Sequence, residues 1–347
     1  MTNFYQLTKL GWRPFFQQQL SLDEWENKIP ARVIAQHKTQ LELANADTCF
    51  PLEINTKMPP FTVGDWLLLN SDNSFYRQLE RFTCLKRKAA GTAVDTQLIA
   101  ANIDTVFIVS SLNEDFNLNR IERYLSLAFA AGVEPVVVLT KTDLVDNYER
   151  YSDKVKALSN GVSVVCINAH LAESTYALSE WLGVGKTVAF LGSSGVGKST
   201  LTNTLLGRVH QVTGDIRQND AKGRHTTTSK SLLTLPCDAM IIDTPGLREL
   251  QITDCQQGIS AAFADITSLA SNCRFSDCSH TNEPNCAVLK AIDSKQLDAR
   301  RLASYLKLLK EESQNSASLS EKRAKDKALG KFYKRTLVDS YKIKGRN

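Results

Sequence analysis

The sequence predicts an α/β protein built on a parallel sheet, with a small β-barrel before the sheet and a helical segment after it. Three observations carry this prediction. Short β-type runs separated by Asn/Asp/Pro/Gly clusters fill residues 30–96. From 97 to 254, apolar strands alternate with helical patterns, which is how a parallel sheet covered on both faces reads in a sequence. Beyond residue 255 the pattern is helical and is interrupted by three Cys and one His within 14 residues.

Composition sets the outer limits. The chain has 347 residues, 42% hydrophobic and 23% charged, which predicts two or three folded domains and excludes a disordered or fibrous protein. Its longest apolar stretches, such as Val106–Val109 and Pro135–Leu139, fall far short of the ~20 residues that span a bilayer, so no membrane segment is expected. The start, MTNFYQLTKLGWRPFF, lacks a basic residue cluster followed by an apolar block, so no signal peptide is read and a cytoplasmic setting with reduced thiols is expected. The eight Cys then suggest metal ligands or buried thiols rather than disulfides. Net charge is +5, yet residues 320–347 carry ten Lys/Arg against three acids and leave the rest of the chain at −2. A tail of this kind suits nucleic acid or another acidic surface, or else is a solvated basic helix.

Residues 1–29 read as a leader, in which Ser21-Leu22-Asp23-Glu24 is a capping box that starts a small helix through Trp25. In the 30–96 segment, strands are expected at Ala31–Ile34, Gln40–Leu43, Trp66–Asn70 and Arg81–Leu85. About five strands in so short a span fit an OB-type barrel, with an SH3-like barrel as the alternative. In the 97–254 segment, strands are expected at Thr105–Ser110, Glu134–Thr140, Val162–Ile167, Thr187–Leu191 and Met240–Asp243, and helices at Asn119–Ala131, Tyr176–Leu182 and Lys198–Leu206. Residues 255–319 form the helical unit and 320–347 the basic tail. Cys49, Cys84, Cys166, Cys237, Cys255, His37, His170 and His210 are scattered and read as core residues.

The strongest motif is Gly192-Ser193-Ser194-Gly195-Val196-Gly197-Lys198-Ser199, which matches G-x-x-x-x-G-K-[ST] between a strand and a helix. Its glycines let backbone N–H groups converge on phosphates, Lys198 supplies charge to the β/γ oxygens, and Ser199 offers a hydroxyl to Mg²⁺. Thr200 completes the nucleotide-binding turn. Asp243-Thr244-Pro245-Gly246 ends an apolar strand, placing the Asp243 carboxylate by the Mg²⁺ shell and the Gly246 N–H by a γ-phosphate. Thr140-Lys141-Thr142-Asp143 also follows a strand, and its Asp143 can accept both N1–H and N2–H₂ of guanine. The motif resembles N/T-K-x-D of GTPases, and Asn168-Ala169 occupies the place of a second base-contacting loop.

Motif order is informative. A Ras-like GTPase reads phosphate loop, switch Thr, DxxG, base motif; here the base motif at 140–143 precedes the loop at 192–199 and DxxG at 243–246. The expected core is therefore a circularly permuted P-loop GTPase domain, whose switch segment leads straight into the C-terminal unit. In that unit Cys273, Cys278, His280 and Cys286 have the donor chemistry of a closed structural Zn²⁺ site, one ion per chain.

Barrel, permuted GTPase, C-x₄-C-x-H-x₅-C knot and basic tail together resemble the ribosome small-subunit-dependent GTPase A (RsgA) family from about residue 30 to about 310. Gly223-Arg224-His225-Thr226-Thr227-Thr228 resembles that family's switch motif, with Thr227, or else Thr226, as the Mg²⁺/γ-phosphate ligand. The resemblance implies a GTP-hydrolysing, monomeric factor in late maturation of the small ribosomal subunit, binding its rRNA and stimulated by it. A second reading, an RNA-binding module that holds guanine nucleotide with little turnover, stays open. Leu247 stands where many GTPases carry the water-orienting Gln, which makes His225 the candidate catalytic side chain.

Overall fold

The computed structural model describes residues 4–88, 96–159, 161–209, 230–243 and 254–316. In chain order, its strands are β1 (Ile29–Gln36), β2 (Gln40–Ala44), β3 (Cys49–Glu53), β4 (Trp66–Leu69), β5 (Phe75–Gln78), β6 (Cys84–Lys88), β7 (Thr96–Ala101), β8 (Thr105–Ser111), β9 (Glu134–Thr140), β10 (Ser163–Cys166), β11 (Thr187–Leu191), β12 (Lys230–Thr234) and β13 (Met240–Asp243). The leader holds helices α1 (Phe4–Lys9), α2 (Pro14–Gln17) and α3 (Leu22–Asn27). Around the parallel strands lie α4 (Leu118–Ala130), α5 (Glu149–Lys156), α6 (Ala172–Thr175) and α7 (Lys198–Leu206). The C-terminal helices are α8 (Gln256–Ala262), α9 (Ala264–Ala270), α10 (Ala287–Asp293) and α11 (Ala299–Ser316).

Strands β10-β9-β8-β11-β13 are parallel, and β12 closes that row antiparallel to β13. Counted from β11, the strand that leads into the phosphate loop, the order is 2-3-1-4-5-6, a Ras-like sheet cut open between its third and fourth strands, with the sixth joined to the first. Strands β8 and β11 are buried along their whole length, as strands covered on both faces must be. Alternate side chains divide between two cores. Val106, Ile108, Ala189 and Leu191 pack with α4 and the C-terminal helices, while Phe107, Val109, Val188 and Phe190 pack with α7.

The barrel strands run β3-β2-β1-β4-β5, all antiparallel, with β1 kinked by an irregularity between Val33 and Ala35 so that it serves both β2 and β4. This is a five-stranded, partly open arrangement of OB type. Strand β1 also pairs with β12 through Ala35↔Ser231 and Gln36↔Lys230, so barrel and parallel strands form one continuous sheet of eleven strands. The hairpin β6-β7 forms a separate two-stranded sheet.

The leader is docked rather than loose. Trp12 and Phe16 pack on Trp66, the two Trp rings edge to face at 4.9 Å, while Lys9 pairs with Asp238 at 2.9 Å and Arg13 with Asp104 at 2.8 Å. The Arg32 guanidinium, 1% exposed, donates to the Leu10 carbonyl at 2.6 Å and the Asn102 carbonyl at 3.1 Å. Burial pushes its pKa down to about 10, and it still holds its charge at neutral pH.

Some sequence expectations need correction. The strand placed at Arg81–Leu85 begins at Cys84, because the Arg81 side chain folds back as a bidentate partner of the buried Asp65 carboxylate at 2.6 and 2.9 Å. The helix placed at Tyr176–Leu182 is a 3₁₀ segment, Tyr176–Trp181, preceded by the single turn α6. Cys49, Cys237, His37 and His170 are exposed rather than core, and Cys84 and Cys166 are half-buried; Cys255 alone of the five scattered Cys is buried. Cys49 opens β3, the last strand of the row, where side chains need no apolar partner. His210 lies outside the described residues.

Candidate functional site

The loop from Gly192 to Gly197 joins β11 to α7 and turns on glycines with positive φ: 148° at Gly192, 77° at Gly195 and 97° at Gly197. At Gly192 a Cβ would stand 2.3 Å from the Val109 carbonyl oxygen, so only glycine lets the loop leave the sheet beside β8. Lys198 is the first residue of α7, and its Nζ donates to the Gly192 carbonyl at 2.7 Å and to the Ser193 carbonyl. The ammonium thus sits over a ring of loop backbone, with Ser199 and Thr200 in the first turn behind it. The first N–H groups of a helix have no intrahelical acceptor, so the start of α7 has the local chemistry of an anion site.

Three loops converge there. Thr140, at the carboxyl end of β9 and fully buried, donates its hydroxyl to the Val196 carbonyl at 2.6 Å. Lys141 follows with φ 60°, and Thr142 and Asp143 lie in a 3₁₀ turn, Thr142–Leu144, with Asp143 exposed. From the end of β10, Asn168 accepts the His170 N–H at 3.0 Å, and the Ala169 carbonyl accepts the Thr204 hydroxyl of α7 at 2.7 Å. A Cβ on Gly197 would lie 3.6 Å from the Thr140 hydroxyl and 3.9 Å from the Ala169 Cβ, which places base motif, second loop and phosphate loop in direct contact. All three leave the carboxyl ends of parallel strands, where open α/β sheets hold ligands.

Asp243 ends β13, next to β11 in the sheet, and is half-buried. Gly246, Leu247 and the whole 223–228 segment with His225, Thr226 and Thr227 lie outside the described residues. Sequence reading missed Thr204 and Ser174, which fasten the second loop; the Ser174 hydroxyl accepts the Asn168 N–H at 2.9 Å. Neither lies in a motif, and the only signal is a hydroxyl on a helix flanking one.

The second cluster is C-terminal. Ligand atoms of Cys273, Cys278, His280 and Cys286 all lie within 4.8 Å of one another, an arrangement that could hold a metal ion. His280 is buried, takes φ 57° and aims Nδ1 at the Cys273 and Cys286 sulfurs, 3.7 and 3.4 Å away. Burial acts to raise the Cys273 thiol, but N–H groups of Ala287 and Val288 at the start of α10 outweigh it and hold its pKa below the ordinary value. The turn between ligands is tied by Glu283, which accepts the N–H groups of Ser279, Thr281 and Asn282 at 2.8, 3.0 and 3.2 Å. Those bonds, the Ser279 hydroxyl foremost, pull the Glu283 carboxyl down to about 2.

Sheet order, a phosphate loop preceded by its base motif, and the C-terminal Cys/His cluster define a circularly permuted P-loop GTPase. The sequence pattern of the RsgA GTPase family matches residues 78–253. The chain is 53% identical over 340 residues to small ribosomal subunit biogenesis GTPase RsgA 2 of Vibrio vulnificus (98% of this chain, 97% of that one), and 43% identical over 335 residues to RsgA of Mesorhizobium japonicum (95% and 96%). This chain belongs to the RsgA GTPase family. Among solved structures, its fold matches YjeQ from Thermotoga maritima (TM-score 0.61, 23% identity, 82% of this chain and 98% of that one) and the circularly permuted GTPase YloQ (0.59, 21%, 84% and 97%).

Proposed function

We propose that this chain is a GTP-hydrolysing factor for late maturation of the small ribosomal subunit, acting as a monomer in the cytoplasm, binding rRNA and turned over by the subunit itself. The observation that carries the nucleotide assignment is the meeting of the three loops through Thr140, Ala169 and Gly197. In this reading Gly192 to Gly197 cradle the phosphates, and Lys198 exchanges its carbonyl partners for β/γ oxygens. Asp143 accepts from guanine while the Lys141 stem covers the base. Asn168 and Ala169 close the base pocket. Ser199, Thr227 (or Thr226) and the Asp243 shell would hold Mg²⁺, which would neutralise phosphate charge when bound. Gly246 donates to the γ-phosphate. Leu247 has no polar atom with which to orient water, so basal turnover is slow, and His225 takes that task once the subunit orders the 223–228 segment.

Zinc is the metal proposed for the Cys/His cluster. A tetrahedron with Zn–S near 2.3 Å and Zn–N near 2.0 Å has edges of roughly 3.5–3.8 Å. The separations of 3.8 Å between the Cys273 and Cys286 sulfurs and 3.4 and 3.7 Å from sulfur to His280 Nδ1 fit those edges. Functionally the chain divides into leader 1–29, barrel 30–96, GTPase 97–254, zinc unit 255–319 and tail 320–347, the barrel and tail serving rRNA.

The test is GTP hydrolysis by the full chain with and without purified small subunits. Stimulation that His225→Ala abolishes while GTP binding persists supports the reading. Turnover indifferent to subunits returns the chain to a nucleotide-holding RNA module, and full stimulation of the variant removes His225 from catalysis.

A further inference from the structure

The leader takes no part in the chemistry described so far, yet it touches both halves of the molecule. Helix α1 ends in a turn that Gly11 closes at φ 86°, its N–H donated to the Thr8 carbonyl at 2.9 Å and the Trp12 N–H to the Leu7 carbonyl at 2.9 Å. Leu7 and Phe16 are fully buried in an apolar cluster with Trp66 and Leu68 of β4. Phe15 meets Phe82 edge to face at 5.5 Å, and the Gln19 carbonyl accepts from Arg77 of β5 at 2.7 Å. The other side of the same turn lies against the loops that precede β11 and β13. A Cβ on Gly185 would stand 2.1 Å from the Thr8 carbonyl oxygen, and one on Gly11 would stand 2.9 Å from the Gly185 carbonyl oxygen, so two glycines let the backbones meet. Lys9 Nζ lies 2.9 Å from Asp238 Oδ2, in the turn between β12 and β13, and the Asp238 carbonyl accepts the Gly185 N–H at 2.9 Å. Arg32, which holds the Leu10 carbonyl, also places Nη1 3.5 Å from the Met240 sulfur at the start of β13.

We propose that the leader is a strap between the barrel and the β12-β13 hairpin, and that it makes the hairpin follow a displacement of the barrel. The second half of this statement rests on the proposed reading of the barrel as a subunit-binding part and of 223–228 and 243–246 as nucleotide-sensing motifs. The hairpin is paired from Ser231↔Asp243 to Thr234↔Met240. Segment 223–228 precedes its open end and Asp243 closes it, while Lys9 holds the turn at the opposite end. Barrel strand β1 grips that open end through Ala35↔Ser231 and Gln36↔Lys230. A hairpin held at one end pivots about it. Held at both ends by parts fixed to the barrel, it is carried as one piece, because the ladder hydrogen bonds keep its strands in register.

The experiment compares the full chain with Lys9→Glu, Asp238→Lys and the double variant that reverses the pair. Hydrogen–deuterium exchange without nucleotide, read by mass spectrometry, follows residues 235–241, where the N–H groups of Leu235, Asp238 and Met240 are hydrogen-bonded. Basal GTP hydrolysis, hydrolysis with small subunits and melting temperature are measured on the same proteins. Each single variant sets like charges against each other, so exchange of these amides should rise about 3–10-fold and stimulated turnover fall by a similar factor. Basal turnover and melting temperature should stay those of the parent. The double variant should restore both exchange and stimulation, which a leader acting only by touching the subunit would not do. Parent-like exchange in the single variants, or a loss that the double variant leaves unrepaired, overturns the strap. A loosened turn with full stimulation overturns its link to the barrel. A parent that subunits do not stimulate marks failure of the proposed function instead, and the exchange measurement still decides the strap. If a charge reversal fails to fold, Lys9→Met removes the pair without repulsion and is read against the parent in the same way.

Discussion

Thr140 shows what a motif residue does once its surroundings are known. In the sequence it stands where an Asn amide is commonest, as if a contact had been lost. In the fold its hydroxyl is spent on the Val196 carbonyl, 2.6 Å away, fastening the base motif to the phosphate loop. Thr140→Val keeps the shape and leaves that buried carbonyl without its donor, a loss of about 1–3 kcal/mol. Nucleotide affinity should fall about tenfold, Thr140→Ser should restore most of it, and titration with fluorescent GDP reads both. Asp143→Asn should move preference from guanine to xanthine nucleotides, read by competition between GTP and XTP; unchanged preference would mean that another residue reads the base. The residues of these motifs could be read directly because phosphate and guanine chemistry demands particular atoms at particular spacings. Glu122 could not, since its arginine partners lie 178 and 179 residues away and a glutamate in a helix looks solvated.

At the scale of elements, what repeats locally was readable and what depends on distant partners was not. The capping box of α3 forms as expected: Ser21 accepts the Glu24 N–H and Glu24 accepts the Ser21 N–H. Arg77 of β5 adds a two-pronged pair to Glu24 at 2.6 and 2.9 Å, and with Ser21 it holds the Glu24 carboxyl down at about 2 against an ordinary 4.5. A depressed carboxyl stabilises the fold above its unfolded pKa and loses that contribution as pH falls through the folded value. Glu24→Gln should therefore lower the melting temperature at neutral pH, corresponding to about 1–2 kcal/mol, and the gap from the parent should close between pH 4.5 and 2. Strands β3 and β5 escaped notice because their half-exposed patterns carry no apolar alternation, and Pro51 in β3 is tolerated only on a sheet edge. The C-terminal helices share the large core under α4, and a metal in the Cys/His cluster would add to it at one end. Elemental analysis should find about one Zn per chain, and chelation should lower the melting temperature and open α9 and α10 to amide exchange. A zinc-free chain of equal stability would overturn the assignment.

For the molecule as a whole, the permutation was visible in motif order alone, and sheet order confirms it. Charge distribution was visible too. Deleting 320–347 removes ten of the 42 Lys/Arg and should weaken small-subunit binding and flatten its salt dependence, because fewer counterions are released. An unchanged slope, measured by binding at several salt concentrations, would leave the tail as a solvated helix. The join between barrel and parallel strands was invisible, since β1 and β12 are separated by nearly two hundred residues and meet over two Cα pairs. That join has a further consequence. Strand β12 follows directly on the segment that contains 223–228, so the barrel is not a reading head swinging on a tether. It is held at a fixed bearing to the nucleotide crevice, locked at its base by Arg32 and the leader. Whatever it recognises is recognised at one angle, and a change of angle in β12 would be magnified along the barrel's length as a pointer magnifies the turn of its spindle.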